Sequence, residues 1–124
     1  MITLSSGAAL RGSPLSGGYA GAKAAIRWMT AYAAEESARA ALGIRFVTLL
    51  PQLTPATDLG ARYAAAYAAR QGAGPAGAPA TPGGPPLTPE QAGQAITDLA
   101  ADPGHHDSAY LLTAAGLRLL TPGS

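Results

Sequence analysis

Residues 44–50 read Ile-Arg-Phe-Val-Thr-Leu-Leu between Gly43 and Pro51, and no other segment constrains the fold as tightly. The run is rich in branched and aromatic residues and almost continuous in hydrophobicity, the pattern of a parallel strand covered on both faces. A parallel strand is reached through a crossover, usually helical, so helices should flank it. Residues 19–42 supply one. Ile26, Met29, Ala33, Ser37 and Ala40 recur at three- and four-residue steps and predict an inward stripe. Glu35, Glu36 and Arg39 fall mostly on other faces and read as a surface ion-pair face. Gly43 is placed to stop the helix as its left-handed C′ residue. Residues 1–4 predict a short buried strand. Strand, helix and strand in that order make a βαβ unit.

Beyond Pro51, residues 51–59 read as a loop and residues 60–70 as a short alanine-rich helix. Residues 71–86 are almost wholly Gly, Ala and Pro, a composition that builds no packed core. They predict a mobile surface loop, with a substrate-capping lid as the second reading. Thr88, Pro89 and Glu90 then mark a helix start: N-cap, N1 and an acidic first turn. Helix 89–101 should turn Ala92, Ile96, Leu99 and Ala100 inward until Pro103-Gly104 breaks it. Residues 108–112 predict a third strand, followed by an apolar tail. The fold class expected is α/β, one domain over residues 1–124, with about three parallel strands and flanking helices.

Composition narrows the function. Eight Lys and Arg against seven Asp and Glu give a net charge of +1 with no basic run, so the footprint of a nucleic-acid binder is missing. The absence of cysteine excludes disulfides and thiolate metal sites. The start of the chain lacks a signal-peptide pattern, and no window is long and apolar enough for a membrane span, so a cytoplasmic protein is expected. His105-His106-Asp107 sits in a Pro-Gly turn without a partner cluster and reads as a solvated turn rather than a metal site. Arg11 reads as a surface residue, with substrate contact as the alternative. Trp28 is open to two readings, packing on the helix face or contact between subunits. The string Gly72-Ala73-Gly74-Pro75-Ala76-Gly77 imitates a dinucleotide fingerprint, but it follows a helix and contains proline, so it is rejected.

The segment that carries chemistry runs from Ser6 to Lys23. Tyr19 and Lys23 form Tyr-x-x-x-Lys at the start of the helix, which puts both side chains on one face about one turn apart. An ammonium beside a phenol favours the phenolate, and so does the positive end of a helix. A tyrosine in that setting can act as general acid or base toward a carbonyl or an alcohol. Ser6 closes the first strand, and its hydroxyl can hydrogen-bond a substrate oxygen opposite the phenol.

The order of these features resembles the short-chain dehydrogenase/reductase family. A strand ends in Ser5-Ser6, a Gly/Pro loop leads to Tyr19-Ala20-Gly21-Ala22-Lys23, Ala-Ala follows, and Gly43-Ile44-Arg45 opens a strand that ends in proline. Family members carry a serine thirteen positions before the tyrosine, where Ser6 stands. The resemblance covers nearly the whole chain and extends to the closing helix, last strand and terminal glycine stretch. It implies Tyr19 as proton donor or acceptor, Lys23 as the ammonium that assists it and orients the nicotinamide ribose, and Ser6 as the residue that steadies substrate. It also implies NAD or NADP as cofactor, held in part by Tyr19, Lys23, Pro51 and Thr54, with Thr57 a nearby alternative to Thr54. The substrate would be a small-molecule carbonyl or alcohol, and a homo-oligomer is compatible with the family.

The chain departs from the family in places. Gln52 stands where glycine usually follows the proline, and Thr113-Ala114-Ala115-Gly116 replaces an acidic turn. The family's Gly-rich phosphate loop, Asn-Asn-Ala-Gly segment and catalytic asparagine precede the serine strand and have no counterpart here. The chain therefore reads as the C-terminal half of a doubly wound Rossmann-like parallel sheet, first half missing, weakly active or inactive alone. The rival reading is a non-catalytic remnant, a complementation or oligomerisation fragment. An epimerase-type relative sharing the Tyr/Lys pair is a weaker alternative.

Overall fold

The computed structural model describes residues 1–10, 15, 17–52, 54, 56–70, 85–104 and 109–121. The loop expected at 71–86 (apart from 85 and 86), Arg11 and the His105-His106-Asp107 turn lie outside those residues. The chain forms β1 (Ile2–Leu4), a 3-10 turn (Gly7–Ala9), α1 (Gly17–Arg39), β2 (Val47–Pro51), α2 (Asp58–Arg70), α3 (Pro89–Ala101), β3 (Ala109–Thr113) and β4 (Gly116–Leu119). One sheet holds the strands in the order β1-β2-β3-β4. β1, β2 and β3 run parallel, and β4 turns back antiparallel against β3. The α/β class expected from the central apolar run is the class observed.

Val47, Thr48, Leu49 and Leu50 are fully buried between two strands and two layers of helix. Alternation along the strand sends Val47 and Leu49 to one face. There they meet Tyr110 and Leu112 of β3 and Leu87 and Leu99 around α3, with Ile2, Ala92, Ala95, Ile96 and Leu117 packed at the margin. Leu50 faces the other side with Ala109, Leu111 and Leu120, against Ala9 and Leu10 of the 3-10 turn region. α1 covers that second face through hydroxyl contacts. Thr3 Oγ1 is 2.8 Å from Thr30 Oγ1 and 3.2 Å from Thr48 Oγ1, and Thr30 also donates to the Ile26 carbonyl at 2.8 Å.

Those contacts set the rotation of α1, and the expected inward stripe is corrected by them. The buried residues are Ala20, Thr30 and Ser37; Met29 is 69% exposed, and Ala40 is exposed as well. In a helix this rich in alanine no face is much more apolar than another, so the buried hydroxyls that find partners decide which side turns in. Trp28 is 78% exposed, which removes the packing reading for that residue. Of the charged face, Glu36 and Arg39 pair, at an exposed site. On α3 the inward set is Ala92, Ala95, Ile96 and Leu99, and Ala100 faces solvent instead. A capping box joins Thr88 to Gln91, and Leu87 and Ala92 share the core as the flanking apolar pair.

Three further expectations change. β1 is not buried: Leu4 is 47% exposed, because β1 has β2 on one side and no strand on its other side among the described residues. The second strand starts at Val47 rather than Ile44. Arg45 is pulled aside to donate to the carbonyls of Leu99 at 2.8 Å and Asp102, a cation closing the C-terminal end of α3. The apolar tail is the strand β4. It pairs with β3 through a two-residue turn, Ala114-Ala115, after which Gly116 takes φ +116°.

The end of α1 differs as well. Leu42 N–H donates to the Ser37 carbonyl and Ala41 N–H to the Ala38 carbonyl, a Schellman closure in which Ala41 takes the left-handed position at φ 52°. Gly43, expected there, is two residues on. Ser37 Oγ then ties the exit by donating to the Ile44 carbonyl at 2.7 Å. An L-residue in this conformation costs about 1 kcal/mol. Ala41→Gly should therefore raise unfolding stability by up to about 1 kcal/mol in a urea titration, a gain reduced by the freer unfolded chain. Arg45→Met should lower it by roughly 1–3 kcal/mol by leaving α3 carbonyls without their charged donor. An unchanged midpoint in either variant would refute the corresponding closure.

Candidate functional site

Open α/β sheets bind ligands outside the carboxyl ends of their parallel strands. Ser6, Tyr19, Lys23, Pro51 and Thr54 all belong to that end: Ser6 just after β1, Tyr19 and Lys23 in the first turns of α1, Pro51 and Thr54 where β2 stops. A shallow, open surface depression lies elsewhere. It is bordered by Ala34, Ser37, Ala41, Ile44 and Phe46, where the chain enters β2 from its amino end.

Two contacts hold the start of α1 against β1. Buried Ser5 donates through Oγ to the Lys23 carbonyl at 2.6 Å, and Lys23 Nζ donates to the Leu4 carbonyl at 3.1 Å. Leu4 is on the outer side of β1, so the ammonium supplies a donor to a strand edge that β2 does not reach. The same ammonium lies 5.7 Å from the centre of the Tyr19 ring, within cation–π range. Tyr19 itself is 36% exposed. The structure thus brings Tyr19 and Lys23 together, with the ammonium over the ring.

Ser6 caps the 3-10 turn: its Oγ accepts the Ala8 N–H at 3.2 Å. A hydroxyl oxygen that accepts in this way still has a proton to donate. The next residue, Gly7, approaches the end of β2, since a Cβ there would be 3.8 Å from the Pro51 carbonyl oxygen. Pro51 pairs with Leu112 as the last residue of β2, and the following Gln52 N–H donates to the Leu112 carbonyl at 3.0 Å.

Thr54 and Thr57, which the sequence leaves as alternatives, have different structural tasks. Thr57 is the N-cap of α2: its Oγ1 accepts the Gly60 N–H at 3.0 Å and donates to the Thr54 carbonyl at 2.8 Å. Thr54 Oγ1 stands 3.3 Å from that hydroxyl. The first turn of α2 packs so closely on the segment before it that a Cβ on Gly60 would overlap the Thr54 carbonyl and sit 2.9 Å from Thr57 Oγ1.

Sequence reasoning missed the side chains that α2 contributes. Tyr63 and Tyr67 are four residues apart on one helix face. The Tyr63 ring lies 5.7 Å from the Tyr19 ring at an interplanar angle of 48°, and 6.1 Å from Tyr67 at 32°. Their spacing was the available signal; which way that face points was not in the sequence.

Among the described residues no cluster of three or more metal-ligating side chains occurs, and no helix is long and apolar enough to cross a membrane. No family model, curated protein or solved structure matches the chain.

Gly60→Ala should destabilise the protein by roughly 1–3 kcal/mol, the usual cost of forcing a methyl into an occupied space. Amide exchange should accelerate across α2 before it does in β2 and β3. Unaltered exchange in α2 would show that the helix tolerates separation from the Thr54 carbonyl.

Proposed function

We propose that the chain is the catalytic half of a short-chain dehydrogenase/reductase, part of a doubly wound Rossmann-like sheet, and that it interconverts a carbonyl and an alcohol with NAD or NADP. One juxtaposition supports this reading: Tyr19 and Lys23 are joined on the first turns of α1, beside Ser5 and Leu4, at the carboxyl end of the parallel sheet. The donor set there, an ammonium with phenol and serine hydroxyls, suits a ribose and a carbonyl oxygen. Tyr19 and Lys23 would hold the ribose, with Pro51 and Thr54 near the carboxamide. The sequence offers no strand-linked glycine loop for a pyrophosphate.

A bound nicotinamide supplies the hydride acceptor in oxidation and the hydride donor in reduction. The chain's own part is proton transfer and positioning. In oxidation Tyr19 Oη would take the substrate's hydroxyl proton, and in reduction it would return that proton. Lys23 places its charge 5.7 Å from the centre of the Tyr19 ring. Ser6, its oxygen oriented by the Ala8 N–H, donates to the substrate oxygen.

A second reading, a non-catalytic fragment, draws on the same contacts. The Lys23 ammonium on Leu4 and the Ser6 hydroxyl at its turn also do structural work. Titrating the purified chain with NADH and NADPH, followed by nicotinamide fluorescence, separates the two. The enzyme reading expects weak binding that falls about tenfold or more in Lys23→Met. It also expects carbonyl reduction to drop at least about 100-fold in Tyr19→Phe. Absence of binding at millimolar nicotinamide, or undiminished turnover in Tyr19→Phe, would leave the fragment reading standing.

A further inference from the structure

We propose that α2 forms the substrate wall of the candidate site and that the substrate carries an aromatic ring next to its carbonyl. The proposal rests on the proton-transfer reading of Tyr19 and adds the class of molecule that reaches it. Tyr19, Tyr63 and Tyr67 make a continuous ladder of rings, 5.7 Å and 6.1 Å apart and tilted by 48° and 32°. Tilted rings at such separations have the offset geometry that aromatic pairs favour.

The ladder is held in place from below. Thr57 caps α2, and Gly60 lets the helix press against the Thr54 carbonyl, so Tyr63 follows one turn after a fixed point. Around the two tyrosines α2 offers mainly alanine: Ala64, Ala65, Ala66 and Ala69. Tyr63 and Tyr67 are only half-buried, so ring surface is left for a ligand. A molecule whose oxygen meets the Tyr19 phenol would have the Tyr63 ring, 5.7 Å from that of Tyr19, within reach of its remaining atoms. A fourth ring extends the ladder. A short alkyl chain covers little of it, and a polyhydroxylated carbon chain buries hydroxyls against it without partners.

The test is binding to the 124-residue chain carrying ¹³C-labelled tyrosine, followed by NMR, with acetophenone, butanone and dihydroxyacetone as probes. Acetophenone should shift the Tyr63 and Tyr67 ring signals and bind about tenfold tighter than the other two, the scale of a ring contact. That preference should fall to within about twofold in Tyr63→Leu. Tyr67→Leu, further from Tyr19, provides the second variant, with far-UV circular dichroism reporting that each is folded. Equal affinity for the three probes, no acetophenone binding, or a preference that survives both substitutions would overturn the proposal. The measurement needs neither nicotinamide nor turnover. Tyr19→Phe keeps its ring, so acetophenone preference retained with turnover lost fits both readings. Preference retained with turnover also retained defeats the proton-transfer reading alone.

Discussion

Hydrogen bonding of β2 to parallel strands on both its sides is the constraint on which the rest of the structure depends. With both edges occupied and residues 47–50 fully covered, each of its side chains must be matched by one of two layers. Val47 and Leu49 require α3; Leu50 requires the 3-10 turn region and Leu120; Thr48 requires a hydroxyl partner and finds Thr3 beside Thr30. That last demand positions α1. A valine at 48 would have accepted any apolar face of the helix, whereas a threonine favours one that brings another hydroxyl.

The location of the candidate site follows from the same arrangement. β1 and β2 end side by side, and the chain leaves each in a turn closed by a hydroxyl, Ser6 in one and Thr57 in the other. Between those exits α1 begins, fastened by Ser5 and Lys23. The ring of Tyr19 thereby has near it a cation from its own helix and a ring from the next. Lys23 serves a backbone carbonyl and an aromatic face at once, so a change there would disturb fold and site together.

What could be read from the sequence depended on how local the cause was. Residues 44–50 announced a covered parallel strand by their nearly continuous hydrophobicity, and residues 47–50 are the part that is fully buried. Thr88-Pro89-Glu90 announced a helix start because capping is settled within four residues. Tyr19 and Lys23 were legible for the same reason, since one turn of helix fixes their relation. Causes spanning greater distances were not visible. The rotation of α1 depends on Thr3 and Thr48, 27 and 18 residues from Thr30, and the true start of β2 depends on Arg45 reaching carbonyls more than 50 residues along. Ala41 in a position suited to glycine broke a local rule outright. Tyr63 comes beside Tyr19 from a helix whose start is set by Thr57 and by Gly60 against the Thr54 carbonyl, which no spacing in the sequence announces.

The cross-brace by Arg45 has a consequence for how the molecule coheres. It joins the segment before β2 to the far end of α3, and the pairing of β2 with β3 and the Leu49–Leu99 core join the same two portions of chain. Residues 71–84 connect these portions in sequence, while the contacts that bind them lie in the sheet and its α3 face. The coherence of the two portions therefore rests on the Arg45 donors, the β2–β3 ladder and the shared core.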